Sequence, residues 1–512
     1  MAEIEQKLEP VERTLVTIAV MLAVLIQVLD TTIANVALPH MQASLGATQE
    51  SINWVLTSYI VAAAIAIPIS GWLADRVGRK RLLVWAVIGF TIASFLCAVA
   101  QNLTEMVAFR IIQGITGAFL VPLAQATLFD INPRERHARA MALFGGGIMI
   151  GPILGPVLGG WLTDSFNWRW VFLVNLPIGA IAAIMLLRFM PTVEQSKHRF
   201  DLAGFALLGL ALGSLQLMLD RGQQLDWFDS AETWIEAGVF VAASWMFVVH
   251  TMTARSPIFA RSMLADRNFA LGLLFMMVTG VLLLAGLALL PPLLQHLYGY
   301  SVYQSGVMTA PRGVGTLVSM LLAGRLVEKV DLRILVALGM GLMGWSLHIM
   351  TGFAIDMGPG PIIISGVIQG LGLGLVFVTM QSLAFATLAP PLRTHAASLL
   401  NLSRNIGGSI GISLVTTLLA RNLQTAHADM AGHVTEQVLP SITGGVVSQL
   451  GLPASGVLAL ANAEINRQAA FIAYLDDFWI MMWLTFASIP LVLLLRPAKP
   501  TRSGGPQPAM AD

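Results

Sequence analysis

Two charged side chains stand out because of where they fall. Asp30 lies within an apolar run over 14–38, and Arg110 lies within another over 105–129. A charge at the centre of a bilayer costs at least ~2.5–3.5 kcal/mol on insertion scales, so such residues usually face a cavity and carry function. Asp30 precedes Pro39, which marks one end of its run, by nine residues; Arg110 lies about six residues inside the corresponding end of its own. At 1.5 Å per residue the two reach a similar depth, roughly 9–14 Å below the surface. They are expected to face one cavity and to interact directly or through water. Burial disfavours the charged form of a carboxylate and a nearby guanidinium favours it, so a carboxylate that trades a proton for a cationic partner is the simplest proton-coupling device. A purely structural ion pair is the plainer alternative. Asp30 is the only carboxylate well inside a predicted span.

Three further patterns bear on motion and binding. Gly71-Trp-Leu-Ala-Asp75-Arg76-Val-Gly78-Arg79-Lys80-Arg81 joins two apolar runs. Gly71 permits close helix approach, and Asp75 closes its helix where it can meet a helix N-terminus from elsewhere in the chain. Topology alone would explain the basic residues but not the Gly-x-x-x-Asp-x-x-Gly spacing, and the expected role is a conformational latch. Gly147 through Gly160 sets Gly151, Gly155 and Gly159 at four-residue spacing, with Gly160, Pro152 and Pro156 among them. Such a stripe permits tight packing and the prolines bend a helix; packing alone is the competing account. Gln27, Asn35, Gln113, Gln369, Thr379, Gln381, Asn401 and Asn405 are polar side chains inside spans, candidates to line a substrate cavity or to bond between helices.

The elements that position these residues follow from composition. The chain has 512 residues, 56% of them hydrophobic and only 11% charged, with a mean hydropathy of +0.76. Soluble domains carry about a quarter charged residues, so this is an all-α polytopic membrane protein. A formal charge of +1 gives no basic surface for nucleic acid. One cysteine, Cys97, excludes an intrachain disulfide and a thiol metal cluster. No G-x-x-x-x-G-K-[ST] string is present to power transport with ATP, and no metal-ligand cluster or nucleophile–base pair lies in the spans, so neither a metal site nor an enzyme is expected. Runs long enough to span number fourteen: 14–38, 51–74, 82–100, 105–129, 138–162, 169–190, 202–219, 233–252, 269–294, 304–326, 333–354, 359–386, 395–419 and 473–495. With both termini cytoplasmic, most of the 29 Lys and Arg residues fall in inner segments, among them Arg76, Arg79, Lys80, Arg81, Arg134, Arg136 and Arg139.

The halves repeat at an offset of about 253–257 residues, the sign of a duplicated bundle. Gly71–Arg81 aligns with Gly324–Arg333, and Arg110-Ile-Ile-Gln113-Gly114 with Gly366-Val-Ile-Gln369-Gly370. The expected organisation is a cytoplasmic segment 1–13, a six-helix bundle 14–190, a two-helix insert 191–265, a second six-helix bundle 266–496 and a cytoplasmic tail 497–512. A polar periplasmic loop over 420–471, with a possible amphipathic helix near 459–473, interrupts the second bundle. The charges of Asp30 and Arg110 have no counterpart in the second half, which has leucines near 282–284 and Gly366 in their places.

Together these strings resemble the major facilitator superfamily. Gly71–Arg81 is similar to its signature between helices two and three, Arg110 with Gln113-Gly114 to its helix-four proton-transfer motif, and Gly147–Gly160 to the helix-five motif of antiporters. Leu29-Asp30-Thr31-Thr32 through Pro39 resembles the helix-one motif of the fourteen-span drug:proton antiporters, nearest to their EmrB-type multidrug exporters. The resemblance implies a major facilitator fold and proton-coupled export of hydrophobic drugs by two rocking halves. It also implies a multi-pass place in the bacterial inner membrane and no cofactor beyond the proton gradient. A periplasmic membrane-fusion adaptor and an outer-membrane channel are the implied partners. An exporter of one endogenous metabolite, such as a fatty acid, siderophore or antibiotic, is the alternative; a non-transporting sensor with the same fold is a weaker one.

Overall fold

The computed structural model describes residues 9–48, 51–133, 136–192, 200–327, 329–386, 388, 392–433 and 454–496. Most of segment 1–13, the linker 193–199 and the tail 497–512 lie outside them. Among the described residues there is no strand, and thirteen helical stretches are long and apolar enough to cross a membrane. The first half comprises α1 (Pro10–Leu45), α2 (Trp54–Ala66), α3 (Ser70–Val77), α4 (Arg79–Val99), α5 (Leu103–Gly117), α6 (Leu120–Ile131), α7 (His137–Ser165) and α8 (Asn175–Phe189). Then come α9 (Leu202–Arg221) and α10 (Ala231–Thr253). The second half comprises α11 (Arg267–Pro292), α12 (Val302–Leu326), α13 (Leu332–Thr351), α14 (Gly360–Ala386), α15 (Arg393–His433) and α16 (Ala454–Ser488). Every one of the fourteen expected runs falls on helix, the fifth on the 29-residue α7.

In hydrocarbon each backbone polar group must bond within its own helix, and the ends are closed by polar side chains. Asn102 accepts from the Glu105 amide, Asp266 from that of Phe269, and Ser301 forms a reciprocal capping box with Gln304. Such caps each contribute about 1 kcal/mol. Between α3 and α4 the backbone turns at Gly78 with φ +95°, a conformation that a side chain would strain.

Since lipid is as apolar as leucine, helices here associate through close packing. The glycine stripe of α7 lies on α1 turn after turn. A Cβ at Gly151 would meet Val28 at 2.4 Å, and one at Gly155 would meet Thr32 Oγ1 at 2.1 Å. Thr32 Oγ1 also donates to the Gly151 carbonyl at 3.3 Å. This contact fixes the rotation of α1, so that Asp30, on the face shared with Ile26, Ile33 and Ala37, points into the first half. The side chains of Pro152 and Pro156 lie outside those described, and Gly160 has nothing within 4 Å of a notional Cβ. Helix α7 also packs on α12 of the second half, α15 crosses to α3 and α6, and the α9–α10 pair stands against α2 through α9.

The loop expected over 420–471 is corrected by the structure, while the amphipathic helix expected near 459–473 falls within α16. Its described parts are helical: α15 continues to His433 and α16 begins at Ala454. His427 Nε2 and Asn462 Oδ1 meet at 3.1 Å across the pair. Both stretches are rich in alanine, a strong helix former, but they lack the apolar continuity that marks a span. Residues 434–453 lie outside the described structure.

Candidate functional site

Asp30 is fully buried and at the centre of a polar cluster. Its Oδ2 accepts from Arg110 Nη1 at 2.6 Å. Its Oδ1 accepts from Gln113 Nε2 at 2.8 Å and from Asn175 Nδ2 at 3.1 Å. Gln113 and Asn175 also donate to Ser94 Oγ, at 2.7 and 3.2 Å. Arg110 is held three further ways. Its Nε donates to the Val55 carbonyl at 2.9 Å, its Nη1 to Gln113 Oε1 at 2.7 Å, and the guanidinium lies 4.4 Å from the Tyr59 ring centroid. Gln113 and Arg110 meet because they are three apart on α5, hence on one face. The cluster therefore ties together α1, α2, α4, α5 and α8. Breaking a buried pair by removing one partner typically costs about 3–5 kcal/mol, because the other charge is stranded.

A second constellation closes one end of the molecule, the end carrying Gly71–Arg81. Asp75 Oδ2 meets His395 Nε2 at 3.2 Å, and a Cβ at Gly71 would stand 2.4 Å from His395 Nδ1. Asp130 at the end of α6 pairs with Arg79, and with Arg393 Nη1 of α15 at 3.2 Å. Arg79 Nη2 donates to Thr394 Oγ1 at 2.9 Å. Deeper in, Ser398 Oγ donates to the Ile67 carbonyl at 2.6 Å and Asn401 Nδ2 to Gln125 Oε1 at 2.7 Å. The first turns of α15 are thus seated on α3, α4 and α6, joining the halves here. Arg76 is exposed.

The polar side chains grouped above as cavity candidates are dispersed. Gln113 belongs to the Asp30 cluster and Gln27 lies beside Tyr59 there. Asn401 belongs to the closed end. Asn35 is exposed and Asn405 half-buried. Gln369, Thr379 and Gln381 are buried in α14; Thr379 Oγ1 and both polar atoms of Gln381 have no protein partner.

Several residues escaped sequence reasoning. Ser94, Asn175 and Tyr59 complete the Asp30 cluster, and Asp130, Arg393, Thr394 and His395 complete the closed end. The expectation that Asp30 is the only deep carboxylate is also corrected. Asp477 in α16 is fully buried with neither oxygen bonded to protein. The predicted last span began at 473, which placed Asp477 in its first turn; α16 in fact starts at Ala454, so Asp477 lies mid-helix. Among the described residues, no three His, Cys, Asp or Glu side chains are grouped to hold a metal ion.

The profile of the Major Facilitator Superfamily matches residues 20–412. The chain belongs to that superfamily. It is 36% identical to the multidrug export protein EmrB of Escherichia coli (strain K12), over 98% of this chain and 99% of that protein. It is 35% identical to the fatty acid resistance protein FarB of Neisseria gonorrhoeae, over 96% of this chain and 97% of that one. Among solved structures, the facilitator fold recurs in the proton:xylose symporter XylE with a TM-score of 0.61 at 13% identity, covering 96% of this chain and 97% of that one. It recurs also in the human organic anion transporter MFSD10, with a TM-score of 0.58 at 15% identity, covering 93% and 100%. This facilitator is a multi-pass bacterial inner-membrane transporter and not an enzyme.

Proposed function

We propose that the protein is a proton-coupled antiporter that exports hydrophobic drugs and other toxic compounds by alternating access. The observation that carries this reading is the Asp30 cluster. Asp30 accepts from three donors on two helices, so a proton taken up by the carboxylate must displace or weaken at least one of them. Because the same donors also bind Ser94 and Val55, one protonation event disturbs the packing of five helices. That is what coupling requires: a local charge change that biases a bistable packing. The contacts between α15 and the first half supply the element to be biased, a closed end that has to part for access from that side.

The chain is taken to cross the membrane fourteen times, as a six-helix bundle 14–190, a two-helix insert 191–265 and a second bundle 266–496, with both termini cytoplasmic. The segment Gly71–Arg81 then faces the cytoplasm, the closed end is the cytoplasmic one, and Gly71, Asp75, Arg76, Gly78 and Arg79 form part of its latch. No cofactor is needed, the proton gradient supplying the work. The relatives' names support substrates that are hydrophobic and toxic. The α15–α16 pair beyond the far end is the surface offered to a periplasmic adaptor and, through it, an outer-membrane channel.

The test is drug-induced proton release from inside-out vesicles holding a pH gradient, with a panel that includes long-chain fatty acids. Drugs are expected to collapse the gradient with the intact protein and to leave it standing with Asp30→Asn. Equal responses from both would remove Asp30 from the coupling step, and no response from the intact protein would remove the exporter reading.

A further inference from the structure

Helices α9 and α10 frame an open cavity against the first half. It measures about 480 Å³ and lies between α2, α9 and α10, away from the Asp30 cluster and from the closed end. Its walls are almost wholly apolar. Ile65 lines it from α2, while Phe205, Gly209 and Gly213 line it from α9. The two glycines make room for Ile65: a Cβ on either would stand 3.3 Å from its side chain. Into this wall α10 inserts one carboxylate, Glu236, only 9% exposed. Its Oε2 is buried and bonded to nothing in the protein.

Arg221 and Glu232 lie within electrostatic reach of Glu236, but neither bonds its Oε2. Arg221 pairs with Glu232 one turn before Glu236, and Asp220 accepts from Thr57. A buried carboxylate oxygen without a donor is costly and is normally paired. The lining runs along α9 from Phe205 to Leu217, twelve residues or about 18 Å, and Glu236 stands towards the Leu217 end because α9 and α10 are antiparallel neighbours. The lining is thus a long apolar stretch with one carboxylate, Glu236, towards its Leu217 end. The cavity's volume falls within the roughly 300–1,000 Å³ of drug-sized ligand pockets.

We infer that the slot between α2, α9 and α10 binds a single-tailed hydrophobic amine, its tail along Phe205–Leu217 and its ammonium group on Glu236. The site is entered sideways from the bilayer, and α10, whose Trp234 and Trp245 are turned outward while Ile235 lines the slot, forms its lipid-facing wall. The inference does not depend on the exporter reading, since it concerns binding alone.

The experiment is photolabelling of the purified full chain in nanodiscs with dodecylamine carrying a diazirine near its tail end. Labelled peptides are mapped by mass spectrometry, and the uncharged dodecanol analogue serves as the reference probe. Saturable labelling is expected within 205–217 and 235–239, competed by free dodecylamine and reduced at least tenfold by Glu236→Gln. That variant keeps the side chain's shape; Gly213→Leu, which fills the slot, should abolish labelling by both probes. Labelling that survives Glu236→Gln unchanged, or equal labelling by the alcohol, would overturn the assignment. So would a slot filled by co-purified two-chained phospholipid that dodecylamine fails to displace.

Discussion

Asp130 is one carboxylate shared by two guanidiniums, and its replacement separates what holds the closed end from what merely lies there. In Asp130→Asn, Arg79 and Arg393 lose the anion between them. Arg79 and Asp130 both belong to the first half, so that pairing survives any parting of the halves and drops out of the comparison. The pairing with Arg393 is made only while the end is closed. Its side chains are 11% and 5% exposed, so it ranks with buried pairs, for which removal of one partner costs about 3–5 kcal/mol. Taking the lower end, about 3 kcal/mol, and 1.4 kcal/mol per tenfold, the ratio of parted to closed molecules should rise a little over 100-fold. The readout is pulsed dipolar spectroscopy between spin labels at Arg139→Cys and Arg325→Cys, exposed positions on the two halves, with Cys97 replaced by Ser. A second variant guards against a trivial loss of structure: adding Arg393→Gln removes the cation, whose Nη1 also donates to the Phe129 carbonyl at 3.3 Å, and should return at least half of the shift. A distance distribution that Asp130→Asn leaves unchanged would refute the reasoning, as would a double variant more parted than the single one.

Two other perturbations test the packing. Gly114→Ala and Gly280→Ala would set a Cβ 2.5 Å from the Tyr59 carbonyl oxygen and 2.0 Å from that of Arg404. Backbone cannot yield cheaply, so each should destabilise the detergent-solubilised protein by about 1–3 kcal/mol, whereas Gly341→Ala, with nothing within 4 Å, should be neutral or slightly stabilising in a thermal melt. Asp477→Leu should raise stability by about 1–3 kcal/mol, the usual penalty for a buried polar group without a partner; a lower melting temperature would mean that the carboxylate is satisfied by a group other than protein.

The sequence made some of this legible and hid the rest for physical reasons. Long apolar runs declare helices because a span leaves little alternative, and Asp30 and Arg110 declare themselves because charge in such runs is rare. Ser94 and Asn175 do not, because small neutral polar residues in membrane helices are common and their partners arrive from other helices. Asp130 and Arg393 were invisible for another reason: both stand at helix ends, where charge is ordinary, and 263 positions separate them. The roles of Gly151, Gly155 and Gly159 were half legible, since spacing announces a packed face but not that the face belongs to α1. Likewise, the polar helical turns of 420–433 and 454–458 offer no apolar periodicity by which to recognise them, whereas the amphipathic pattern near 459–473 marks the early part of α16.

Helix α15 runs unbroken for 41 residues, about 62 Å, roughly twice the ~30 Å hydrocarbon thickness of a bilayer. Its first turns carry Arg393, Thr394 and His395, and its last turns carry His427 against α16. A helix that moves as one rigid body cannot tilt at one end alone. A rotation that lifts Arg393 away from Asp130 about a pivot within the membrane swings the opposite tip the other way, through a comparable arc. On the alternating-access reading proposed above, whatever rests on that tip is levered as the closed end parts, and any load placed there weighs in turn on the balance between the closed and parted arrangements.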